Sequence, residues 1–197
     1  MKKESLFDLI RRVTELSGVT LPIIVGSQTL YSLTDQVPQV VRGSLEADFL
    51  LAGDDSDARL IVNKELGVTS NFYDTYGYFA DGLGLATVSL APGWRERLQP
   101  LKDDGGKTVA MCLEIHDLAV SKLIAGREKD MPFLCYLLDS QLIAMSMFME
   151  RAATIKETAW EGALIERLER FHDHLRSQRS MHDPAPLVAL INQLKSQ

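Results

Sequence analysis

The chain has 197 residues, of which 46% are hydrophobic, 24% charged and 7% aromatic, a composition that excludes a mainly disordered chain and fits one globular domain with or without an appendage. With 21 basic and 27 acidic residues the net charge is −6, which argues against a basic surface that grips nucleic acid non-specifically. A nucleotide or an RNA end stays open as substrate, because such sites use local charge and metal ions. Cys112 and Cys135 sit in the apolar runs VAMCLEI and PFLCYLL and read as buried free thiols, with neither a disulfide framework nor zinc-ligand spacing around them. No apolar stretch reaches the ~18 residues of a membrane span, and MKKESLFDLIRR lacks the form of a signal peptide, so the expected compartment is the cytoplasm.

Along the chain, Leu6, Leu9, Ile10, Val13 and Leu16 recur at helical spacing and Gly18 follows as a stop, which predicts an amphipathic helix from Ser5. LPIIVG, bounded by Pro22 and Gly26, reads as a short buried strand ending in a turn, and Ser27 to Leu33 can start a helix from that turn. After a polar connection through Pro38 comes a second strand, Ser44 to Gly53. Asp54 to Gly67 reads as a capped helix with Leu60, Ile61 and Leu66 as its apolar residues. Tyr76 to Leu83 and Ala86 to Leu90 look like paired strands, KDDGGK like a loop, and Thr108 to Ile115 like the last strand.

From there the pattern is helical. Asp117 is the expected N-cap of LAVSKLIAG, Pro132 opens a helix to about Thr154, and Ala159 to Arg176 and Pro186 to Lys195 follow. The apolar stretch from Leu137 to Met149 reads as core packing, with a partner-binding surface as the alternative. The expected organisation is an α/β core over 1–131 and a helical C-terminal region over 132–197.

Charge is concentrated in one place. Between Gly43 and Ala58 stand five acids, Glu46, Asp48, Asp54, Asp55 and Asp57, and no base. Glu46 and Asp48, two apart on a strand, project to one side with Cα atoms about 6.5–7 Å apart. Carboxylates that close repel unless a cation lies between them, and their hard oxygens suit Mg²⁺ or Mn²⁺. An edge strand with one solvated face gives the same pattern.

A strand ending in Gly26-Ser27 followed by a strand carrying Glu46-x-Asp48 resembles the signature of the nucleotidyltransferase (polymerase β-like) superfamily. LEIHDLAVSKLIAGREKDMPFLCYLL, Leu113 to Leu138, is similar to the minimal nucleotidyltransferases related to abortive-infection and type IV toxin proteins. Gly77 to Leu98 resembles a subgroup of unknown function that shares the Glu-x-Asp metal motif. The resemblance implies a mixed α/β sheet flanked by helices, with Gly26 and Ser27 on the triphosphate of an NTP and Glu46 and Asp48 on a metal pair. Asp81, or alternatively Glu114, would be the third carboxylate. Lys122 would meet phosphate, flanked by Arg127, Lys129 and Asp130, while His116 reads as structural and His172, His174 and His182 as solvated. The implied acceptor is an RNA end such as a tRNA, or a protein hydroxyl, and the implied setting a toxin–antitoxin pair with a small antitoxin partner. A fold kept only as a binding scaffold, or as a homodimer, is the competing expectation.

Overall fold

The computed structural model describes residues 1–51, 56–155, 161–178 and 181–196. The chain divides into two compact units, Met1–Val88 with Arg95–Glu114 and Ser89–Trp94 with Ile115–Gln197.

The first unit opens with α1 (Lys3–Ser17), which buries Leu6, Leu9, Ile10 and Val13 on one stripe. It ends at Gly18, whose φ of +70° lets the N–H donate back to the Thr14 carbonyl at 2.9 Å. Two residues of strand follow, β1 (Ile23–Ile24), then a 3₁₀ turn over Ser27–Ser32 and the short α2 (Gln39–Arg42) in the polar connection. β2 (Glu46–Leu50) leads to α3 (Ser56–Leu66), α4 (Asn71–Tyr76) and β3 (Phe79–Leu83). Asp54 and Asp55 lie outside the described residues. The apolar side of α3 is Ala58, Val62 and Leu66, not the expected Leu60 and Ile61, which are exposed; their adjacent positions point them about 100° apart, so both cannot share the stripe fixed by Val62.

Among the described residues the sheet has five strands in the order β3-β2-β1-β5-β4, counting β4 (Gln99–Lys102) and β5 (Thr108–Cys112). β1 runs antiparallel to β2 and parallel to β5, and β2 runs parallel to β3. The expected strand over Ala86 to Leu90 is corrected: Leu85–Thr87 is a 3₁₀ turn, and β3 pairs with β2 instead of with its own continuation. The hairpin of this region lies later, where β4 and β5 pair antiparallel around Asp103-Asp104-Gly105-Gly106. Gly106, at φ +81°, donates to the Asp103 carbonyl at 2.9 Å, and the Asp103 N–H reaches Lys107. β4 holds Pro100 and only one fully buried residue, Leu101, which an edge strand tolerates.

The regular secondary structure of the second unit, among its described residues, is all helical. α5 (Ile115–Ala125) is its buried element, with Leu118, Ala119, Val120 and Leu123 fully enclosed. Asp117 does not cap it. The helix starts two residues earlier, and Asp117, fully buried, pairs with Arg151 at 3.3 Å. The expected helix from Pro132 to Thr154 is broken into α6 (Asp130–Asp139) and α7 (Met145–Ala152). At the break Gln141 takes a left-handed φ of +56° and donates to the Leu138 carbonyl at 2.8 Å. α8 (Glu161–Ser177) and α9 (Ala185–Lys195) complete the unit. Leu137, Leu138, Ile143, Phe148 and Met149 are core, with Phe148 and Phe171 packed edge to face at 5.9 Å.

Candidate active site

The site is built around β2. On one flank the Val25 N–H donates to the Asp48 carbonyl at 3.0 Å. On the other flank β3 runs parallel, with Glu46 opposite Phe79 and Asp48 opposite Asp81. Side chains alternate along a strand, and in-register residues of paired strands share a face. Glu46, Asp48, Phe79 and Asp81 therefore point to the same side of the sheet, and all four are only part-buried. The other side carries Ala47, Phe49 and Ala80, fully buried on the face that α1 and α3 cover. At Gly82, on that same buried face, an added Cβ would meet Asn63 and Arg59 of α3.

Gly26 sits against this carboxylate row. A Cβ at Gly26 would fall 1.8 Å from Oδ2 of Asp48. Its φ is −97°, so the close approach of the carboxylate, not backbone conformation, demands glycine. The turn that follows is held from inside: the Thr29 N–H donates to the Gly26 carbonyl at 3.1 Å, and the Thr29 hydroxyl to the Ile24 carbonyl at 3.2 Å. Gln28, fully buried, donates to the Val41 carbonyl at 3.2 Å. Ser27, the first residue of the turn, stays part-exposed.

Of the two expected third carboxylates, Asp81 lies on the strand that pairs directly with β2. Glu114 lies two residues beyond β5, and β1 separates that strand from β2. β5 is fixed to β1 by the Leu113 N–H on the Ile24 carbonyl at 2.9 Å. The neighbouring Cys112 thiol is pushed up to about 12 by burial, against a weaker pull from Ser32, and so stays protonated and inert at neutral pH.

Among the described residues no three His, Cys, Asp or Glu side chains are gathered closely enough to hold a metal ion. The donors are hard oxygens, and the missing side chain at Gly26 is what lets the Asp48 carboxylate lie against that turn. That chemistry fits Mg²⁺ or Mn²⁺.

Two further side chains of the region, one on the helix behind β3 and one in the row itself, have no motif in the sequence to mark them. Asn63 of α3 grips the outer edge of β3, its Nδ2 donating to the Gly82 carbonyl at 3.0 Å and its Oδ1 accepting from the Gly82 N–H at 2.6 Å. Phe79 faces Glu46 and packs edge to face on Tyr73 at 5.4 Å. Only the period of two from Phe79 to Asp81 could have flagged the aromatic.

The remaining expected residues belong to the second unit. The Lys122 ammonium is 3.3 Å from Asp130, whose side chain is 2% exposed. Asp130 also accepts the Arg127 N–H at 3.3 Å and returns its own N–H to the Arg127 carbonyl at 2.9 Å. The Arg127 and Lys129 side chains are exposed. His116, buried, accepts the Ala144 N–H at 3.0 Å on Nε2, a structural role.

A mixed sheet with a glycine turn against a strand carboxylate, and further carboxylates on the same face, defines a nucleotidyltransferase-like protein. The chain belongs to the family described as nucleotidyltransferase of unknown function (DUF6036), whose profile matches residues 4–160. No curated protein and no solved structure matches it.

Proposed function

We propose that the protein is a metal-dependent nucleotidyltransferase that moves a nucleoside monophosphate from an NTP to a hydroxyl on an RNA end or a protein. The observation that carries this reading is the in-register placement of Asp81 beside Asp48, with Gly26 packed against the Asp48 carboxylate. Gly26 and Ser27 bind the β- and γ-phosphates through backbone N–H groups and the Ser27 hydroxyl. Glu46 and Asp48 would hold Mg²⁺ or Mn²⁺, which would supply neutralisation of the negative charge on the transferring phosphate. Asp81 accepts the proton of the acceptor hydroxyl. The acceptor oxygen then bonds to the α-phosphorus as the bond to pyrophosphate breaks, and pyrophosphate leaves on the Gly26 flank. Lys122, with Arg127 and Lys129, is assigned to phosphate on the sequence resemblance.

The similarity of Leu113–Leu138 to toxin-type proteins supports a toxin restrained by a small antitoxin. The experiment is transfer of label from each α-³²P-NTP, with Mg²⁺ or Mn²⁺, to total RNA and to protein. Incorporation by the wild type that Asp48→Asn abolishes supports the reading. No incorporation from any NTP by the wild type contradicts it. Induced expression in a bacterial host tests the toxin role: growth arrest by the wild type but not by Asp48→Asn is expected, and unaffected growth with both overturns it.

A further inference from the structure

Beside Glu46, Asp48 and Asp81 the site face carries an aromatic side chain. Phe79 lies opposite Glu46 and two residues before Asp81, on the same side of the sheet. It is part-buried, and Tyr73, also part-buried, meets it edge to face at 5.4 Å with an interplanar angle of 85°. Phe79 stands on the edge strand, and Tyr73 on α4; that strand lies on the far side of β2 from β1, which leads into Gly26 and Ser27. The in-line geometry of phosphoryl transfer makes that side meaningful. If pyrophosphate departs toward Gly26 and Ser27, the attacking hydroxyl must approach from the opposite flank, where Asp81 and Phe79 stand.

We propose that Phe79, braced by Tyr73, is a stacking platform for the terminal base of a single-stranded RNA acceptor, setting its ribose hydroxyl against Asp81. The proposal rests on the nucleotidyltransferase reading and narrows its acceptor to RNA. An aromatic face fits any base, so the platform selects a nucleoside terminus over the small hydroxyl of a serine or threonine without selecting a sequence. Loss of one base–aromatic stack weakens binding by about tenfold or more. With a net charge of −6, the protein gains little from non-specific phosphate attraction, so the terminal base carries a visible share of the affinity.

The test measures binding of a fluorescein-labelled RNA octamer and of the same octamer ending in an abasic ribose, in Mn²⁺. The wild type should prefer the base-bearing end by about tenfold. Phe79→Leu, which keeps apolar bulk without a π-face, should bind both equally, and Phe79→Trp should restore the preference. Equal binding of both RNAs by the wild type, or a preference that survives Phe79→Leu, overturns the proposal. Mn²⁺ titration of the same samples separates the two readings. If Mn²⁺ binds in a Glu46- and Asp48-dependent way while the RNAs are not distinguished, only the platform fails and a protein hydroxyl becomes the acceptor to pursue. If neither Mn²⁺ nor RNA binds, both readings fail.

Discussion

Gly26 shows how one missing side chain can shape a site. A methyl group there would stand 1.8 Å from Asp48 Oδ2 and 2.8 Å from its Cγ, so the carboxylate would have to move. The backbone at φ −97° accepts alanine without strain, so the stability cost of Gly26→Ala, about 1–3 kcal/mol, comes from displacing Asp48. Divalent-ion affinity should fall by about tenfold or more as the carboxylate leaves its place. A thermal melt beside a Mn²⁺ titration checks the split, and equal loss in both would indicate general misfolding. Asp8 acts on the other side of β3. Burial pushes its carboxyl up, but hydrogen bonds from Arg12 and Arg11, the Arg12 charge and the Tyr78 hydroxyl outweigh this and hold it below the usual carboxylate range. A depressed folded value gives stability that is present above the ordinary pKa of about 3.9 and is lost as pH falls through the folded value. Denaturant melts should thus show the wild type losing stability below about pH 4. Asp8→Asn should flatten that fall and cost about 1 kcal/mol at neutral pH; an unchanged acid limb would contradict it.

Among the elements, β3 carries the most consequence for the site because it is an edge strand. Its Gly82 N–H and C=O point away from β2, and Asn63 satisfies both. The helix side chain thus does what a sixth strand would do and blocks that edge against another chain. Asn63→Ala should cost about 2 kcal/mol through two lost hydrogen bonds at a buried peptide, with a rising tendency to self-associate. Chemical denaturation and light scattering measure the two effects, and a cost near zero would show that water replaces the amide freely.

The strands were unequally legible in sequence. β2 was readable because Glu46 and Asp48 alternate with Ala47 and Phe49 in a period of two. Ala86 to Leu90 is apolar enough to read as a strand, but β3 finds its partner in β2 and the chain after it closes into a 3₁₀ turn. β4 left no apolar pattern, since an edge strand with one enclosed side chain needs none. The break at Gln141 was equally silent: a left-handed residue that is not glycine, asparagine or aspartate leaves no composition mark.

At the scale of the molecule, the acidic excess has a location. Five of the 27 acids fall between Gly43 and Ala58 without a base among them, and Glu46 and Asp48 of that group line the site face. The candidate residues were legible as motifs, Gly26-Ser27 and Glu46-x-Asp48. How they meet was not, because strand order and register arise from long-range pairing that a linear pattern does not encode. Asp81 became the neighbour of Asp48 only once β3 was seen parallel to β2. In the second unit the helical pattern was legible, whereas the ion pair of Lys122 with the buried Asp130 was not, because it joins two successive helices, α5 and α6.

The central claim is that the face carrying Glu46, Asp48 and Asp81 binds a divalent cation together with a nucleoside triphosphate. Isothermal titration of the full chain with each NTP, in Mg²⁺ and after its removal with chelator, tests it most directly. The account predicts NTP binding that requires Mg²⁺ and is lost in the Glu46→Gln, Asp48→Asn double variant while the melting temperature holds or rises, as relief of carboxylate repulsion would allow. Binding that persists without the cation or in the double variant, or no binding by the wild type, would contradict it and leave the fold as an interaction scaffold.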